Sequence, residues 1–171
     1  MEVRKLKHTN TKILIPTKKL HLLATIPERE TPLSSGFDLR VFDVIKPSED
    51  PSKPLQSWFE HFTLRPDERC MVRTGIAIQM PAGMEAEVRP RSGLAWKHGI
   101  TVLNTPGTID ADYTGGIGVI LINQSDTAYT INFEDRIAQM VFPQALHNTE
   151  LTEVESFVKT ERGSGGFGHT G

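Results

Sequence analysis

The chain has 171 residues, 37% of them hydrophobic, with 19 basic and 21 acidic side chains and a formal net charge of −2. That length supports one domain with a full core, and the balanced charge excludes a broad basic face for a nucleic-acid polymer, so any phosphate contact has to be local. The one cysteine, Cys70, cannot form an intrachain disulfide and fits a reducing compartment.

Residues 1–16 carry several charges and no long apolar run, so neither a signal peptide nor a membrane span is expected, and the chain reads as soluble and cytoplasmic. Residues 34–40, SSGFDLR, put Asp38 between apolar residues at a strand start. Residues 46–56 hold three prolines and several charges, which predicts an exposed loop. The alternating apolar set Ile76, Ile78 and Met80 predicts a strand over 69–80, in which Cys70 has a packing role, and a second strand is predicted over 84–88. After Pro90 the pattern predicts a short helix, capped by Ser92 and stopped by Gly99. Arg89, Arg91 and Ser92 at its start suit a phosphate, and they suit a capped helix with solvated arginines equally well.

Residues 104–113 lie between strand-like runs and predict a hairpin. On extended backbone Asp110 and Asp112 would point to one side and Tyr113 to the other. Two readings stay open: an Asx-rich turn capped by its own carboxylates, or a carboxylate that orients water beside a tyrosine wall. Residues 116–123 form a near-continuous apolar run, read as a buried strand. Strands follow over 128–133 and 136–142, the latter interrupted by Arg136 and Gln139 facing opposite sides, and a further polar strand is expected over 146–157. Many short strands and one short helix make an all-β barrel or sandwich. The six scattered histidines offer no metal set, and no Walker loop or dinucleotide fingerprint is present.

Five of the last ten residues are glycine, with Arg162, Phe167, His169 and Thr170 set among them. Such a segment is either a disordered tail or one that orders over a nucleotide, with the arginine on phosphate and the aromatic ring on a base.

Five ordered stretches, GFDLR at 36–40, PRSGLAW at 90–96, NTPGTIDADYTGGIGVILIN at 104–123, DRIAQMVF at 135–142 and RGSGGFGHTG at 162–171, resemble those of the trimeric dUTP diphosphatases. The resemblance spans about four-fifths of the chain. It implies a single-domain, jelly-roll-like β-barrel over 1–171, with 46–56 as an inserted loop and 162–171 as a mobile tail exchanged between subunits of a homotrimer. It implies hydrolysis of dUTP to dUMP and pyrophosphate, with Mg2+ on the triphosphate and no nucleic-acid or membrane partner. By resemblance, Asp110 directs the attacking water, while Asn104 and the backbone of Gly107, Thr108, Ile109 and Gly118 read uracil. Tyr113 packs under the deoxyribose. Arg91, Ser92, Gly93 and Gln139 hold phosphate, and Asp38 holds the magnesium ion through water. Arg162, Phe167, Gly168, His169 and Thr170 close the site from another subunit. His169 stands where many members have serine, and the separation of Asp38 from Arg91 is longer than the family's. A dCTP deaminase of the same fold and a catalytically silent dUTP-binding module are the rival expectations.

Overall fold

In a computed structural model that describes residues 12–165, eleven strands and one helix succeed one another along the chain. They are β1 (Thr17–Lys19), β2 (Phe37–Arg40), β3 (Asp43–Ile45), β4 (His61–Leu64), β5 (Arg69–Ile78), β6 (Ala86–Pro90), α1 (Ser92–His98), β7 (Ile100–Val102), β8 (Gly107–Ile109), β9 (Gly116–Asn123), β10 (Tyr129–Asn132) and β11 (Arg136–Val141). Every named pairing is antiparallel. One sheet has the order β1-β5-β9-β7 with β3 also on β5, a second has β2-β11-β6-β8, and β10 pairs with β4. The result is the expected all-β, jelly-roll-like architecture with one short helix.

Between the sheets lies one core, to which Leu39, Val41, Phe42, Val72, Ile76, Val88, Val102, Ile117, Val119, Leu121 and Ile137 contribute. Each buried aliphatic side chain is worth about 1.5–3 kcal/mol relative to exposure. The run read as a fully buried strand, β9, buries one face only. Ile117, Val119 and Leu121 point inward, while Gly116 and Gly118 are exposed and Ile120 and Ile122 half-buried on the other side. Cys70 packs in the core, where burial pushes its thiol up to about 12.

Four expectations change. No strand forms over 146–157; its apolar side chains Leu151 and Phe157 stand exposed, with no packing to fix an extended backbone. The helix begins at Ser92 itself, with Arg91 as the extended cap residue and no side-chain cap bond, so the Ser92 hydroxyl is not spent on capping. Gly99 does stop the helix, in the left-handed conformation (φ 64°) that glycine adopts without strain. The 46–56 segment lies outside the strands, but it is not wholly solvated: Lys53, Leu55 and Gln56 are half-buried. Among the described residues no helix is long and apolar enough to cross a membrane.

The fourth change matters most for the site. Residues 104–113 do not make a simple hairpin, because β8 and β9 do not pair. Instead β7 pairs with β9 in the first sheet, while β8 crosses to the second and pairs with β6. The chain changes sheets through a turn that holds the cis Thr105–Pro106 bond and returns through a second turn, where the Tyr113 N–H donates to the Asp110 carbonyl at 3.1 Å. Asp110, Asp112 and Tyr113 therefore lie on a turn, and the side-to-side alternation expected of extended backbone does not apply.

A candidate active site in two halves

The change of sheet opens a slot between β8 and β9. Its walls are Val88, Val102 and Val119 from the core and Asn104, Gly107, Thr108, Ile109 and Gly118 from the crossing segment. Unpaired with each other, β8 and β9 turn backbone groups toward the gap, and a planar, hydrogen-bonding ring can use such groups. A neighbouring cavity of ≈ 230 Å³ runs from Thr108, Ile109 and Asp110 to Tyr113 and Gly118. Tyr113 is held by a bond from its hydroxyl to the Gly116 carbonyl at 3.0 Å and leaves about half its surface open (47% exposed). The exposed Asp110 carboxylate has no hydrogen-bond or ion-pair partner among the described residues, so it is available to water.

The second half lies on the β2-β11-β6 sheet. Asp38 on β2 sits directly opposite Gln139 on β11, so the two side chains share a face. A register shift between Arg136 and Ala138 resets the alternation along β11. Arg136 consequently reaches the same face as Gln139, against the expectation of opposite faces, and its Nη1 donates to Asp38 Oδ2 at 3.1 Å. Arg91 Nε stands 3.5 Å from the other Asp38 oxygen, and Arg91 Nη1 donates to the Arg136 carbonyl at 2.8 Å. Glu30 pairs with Arg136 from the opposite side. Gln139 Nε2 is committed to the Pro90 carbonyl at 2.9 Å. Gly36 lets Gln139 lie close, since a Cβ there would meet Gln139 Oε1 at 2.5 Å. Ser92 and Gly93 are exposed at the start of α1 beside this cluster.

Among the described residues no side-chain hydrogen bond or ion pair joins the two halves, which are linked through the backbone of β6. Arg162 belongs to neither; its Nε donates to the Gly165 carbonyl at 2.8 Å on an exposed turn. Phe167, Gly168, His169 and Thr170 lie outside the described residues. No group of three or more potential metal ligands occurs among the described residues. Asp38, half-buried with an arginine at each oxygen, would hold Mg2+ only through the ion's water shell, with the remaining oxygens supplied by phosphate. Arg136 has no ligand role in the sequence reading; the signal for it was its place on one short strand with Gln139, three residues away.

A slot lined by backbone between two sheets, an unpartnered carboxylate in the adjoining cavity and a separate cluster of paired arginines and carboxylates are the features of this β protein that could receive a charged, hydrogen-bonding ligand. The profile of the family described as dUTPase matches residues 57–171. The deoxyuridine 5'-triphosphate nucleotidohydrolase of Heliobacterium modesticaldum is 59% identical over 157 residues, covering 92% of this chain and 96% of that protein. That of Nautilia profundicola is 48% identical over 155 residues, covering 90% and 96%. Among solved structures, the Staphylococcus bacteriophage 80alpha dUTPase with dUPNHPP is similar at 26% identity with a TM-score of 0.75, covering 95% of this chain and 99% of that one. A dUTPase from phage phi11 of S. aureus, reported to coordinate a structural Mg(II) ion, shares the fold at a TM-score of 0.67 and 24% identity, covering 85% and 99%. The chain belongs to the dUTPase family.

Proposed function

We propose that this protein hydrolyses dUTP to dUMP and pyrophosphate, which limits uracil entry into DNA and supplies dUMP for thymidylate synthesis. The observation that carries the reading is the slot between β8 and β9 with the unpartnered Asp110 in the cavity beside it. Uracil enters the slot, where Asn104 and the backbone of Gly107, Thr108, Ile109 and Gly118 pair with its edge. Cytosine presents a different donor and acceptor pattern and would leave buried groups unpaired, which discriminates strongly. Tyr113 closes the sugar side against a 2′-hydroxyl.

Asp110 accepts a proton from a water whose oxygen attacks the α-phosphorus in line. The bond from the α-phosphorus to the α–β bridging oxygen breaks, and pyrophosphate leaves with that oxygen. Catalysis of this kind rests on positioning and on neutralising charge spread over the phosphate oxygens. Arg91, Ser92, Gly93 and Gln139 supply donors, and Asp38 holds the water shell of Mg2+. The ion, when bound, neutralises triphosphate charge. In a homotrimer, each complete site combines the slot of one subunit with the Asp38–Arg91–Arg136 cluster of another. The 162–171 tail reaches in from a subunit, with Arg162 on phosphate and Phe167 on uracil, while Gly168, His169 and Thr170 complete the closure. His169 in a phosphate-facing position adds a donor whose charge depends on pH. The whole chain is one dUTPase-like domain acting in the cytoplasm.

The test is pyrophosphate release from dUTP, dTTP, dCTP and UTP in parallel, with ammonia release from dCTP measured alongside. Turnover of dUTP alone is expected. Ammonia from dCTP would point to the deaminase, and tight dUTP binding without turnover at saturating magnesium would point to a silent binding module.

A further inference from the structure

Asp43 on β3 is wholly buried (0% exposed) and Arg73 on β5 nearly so (7%), and the two are direct cross-strand partners. Arg73 Nε donates to Asp43 Oδ1 at 2.7 Å, and Nη2 donates to Oδ2. The rest of the pair's hydrogen-bonding capacity goes to the 46–56 loop. Arg73 Nη1 donates to the Lys53 carbonyl and Nη2 to the Pro54 carbonyl at 3.1 Å, while Asp43 Oδ2 accepts from the Gln56 N–H at 2.7 Å. Removing one member of a buried pair leaves the other charged and unpaired in the interior. A proline-rich loop that would otherwise swing in solvent is therefore fixed at three backbone groups within four residues.

The fixed loop borders a cavity that shares Asn104 and Gly118 with the slot. On the other flank of Arg73, its register partner is Gly118 on β9. A cavity of ≈ 670 Å³ has Pro51–Leu55 as one wall and Asn104, Tyr113 and Gly118 as the other. That volume falls within the usual range for small-molecule sites, about 300–1,000 Å³. Gly118 keeps the floor open, since a Cβ there would lie 3.1 Å from Met71 Sδ.

We propose that the 46–56 loop, locked by the Asp43–Arg73 pair, is the outer wall of the nucleoside pocket and strengthens binding of the deoxyuridine end of the substrate. Asp43 and Arg73 are positioning residues; the wall itself is Pro51–Leu55. The inference rests on the dUTP reading above. A preformed wall lowers the ordering cost of binding and leaves the chemical step to Asp110, so its loss acts on KM and Kd and spares kcat.

The test uses the full chain with two variants. Asp43→Leu with Arg73→Met removes both charges together, so neither is left buried alone. Leu55→Ser alters the wall without touching the pair. In the double variant hydrogen exchange should show loss of protection at the Gln56 amide. Its Kd for the α,β-imido analogue of dUTP and its KM for dUTP should both rise about tenfold, with kcat within about twofold of wild type. Leu55→Ser should raise both about threefold, and it carries the test if the double variant does not fold. Unchanged Kd in a folded variant whose Gln56 amide has lost protection overturns the proposal, as does a change confined to oligomeric state. Because Kd of the analogue is read without turnover, a wild-type protein that binds it but releases no pyrophosphate would overturn the hydrolase reading and leave the wall standing.

Discussion

The two halves of the site are built in opposite ways. Around Asp38, the charges are already tied to one another: Arg91, Arg136 and Glu30 form a connected network before any ligand is considered. Around Asp110 the carboxylate has no partner among the described residues, and β8 and β9 do not pair with each other. A group that must hold a polyanion gains from being preorganised, because its donors then cost no reorganisation when substrate arrives. A group that must take a proton from water needs an open side. On the proposed function, binding falls to the Asp38 sheet and chemistry to the crossing between sheets.

The comparison breaks if the two halves fail to separate in kinetics. The largest effect is expected from Asp110→Asn, which should lower kcat by about 10²–10⁴-fold while Kd for the imido analogue stays near wild type. Normal turnover in that variant would move the base elsewhere. Deletion of 162–171 should lower kcat by about 10²-fold or more without shifting the thermal midpoint, since the closing segment adds donors and excludes water but no core. A fall in midpoint would make the tail a structural part. Arg136→Met should raise KM about tenfold, the equivalent of one charged hydrogen bond, with a smaller change in kcat; a kcat effect as large as that of Asp110→Asn would abolish the division of labour.

The smallest effect is expected at Cys70, which serves as a check that variants keep the core. Burial raises its thiol to about 12 from an ordinary 9.0, so the folded state favours the protonated form. That contribution is complete below about pH 9 and disappears as pH rises through about 12, because only the unfolded chain ionises readily between those values. Thiol alkylation at pH 8 should therefore be negligible in the native protein and in each variant, and rapid in urea.

Much of this was legible in the chain. The strand β5 follows from apolar alternation and β9 from a near-continuous apolar run, β10 and β11 follow between turn residues, and Gly99 announced the end of the helix. The short strands β1, β3, β4 and β7 were not, since three or four residues carry too little periodicity to stand out. The identity of the site residues came from ordered motifs; their arrangement did not. Periodicity says that residues 107–109 are extended, yet it does not say which sheet they join, so the change of sheet that opens the slot was invisible. The bulge at Arg136 is likewise a matter of register. The charge-rich segment 46–56 looked like plain surface, because nothing in its sequence shows that Arg73, seventeen residues past its end, takes two of its carbonyls.

The crossing of β8 from one sheet to the other has a mechanical corollary. With β8 fastened to one layer and β9 to the other, the gap between them is a measure of how far apart the core holds the two layers. Val88, Val102 and Val119 belong both to the core and to the walls of that gap. On the proposed function, hydrophobic packing would then act as a caliper for the base: a methyl group added or removed deep in the interior would reset the jaws, and discrimination between uracil and its 5-methyl analogue would become a property of the protein's interior thickness.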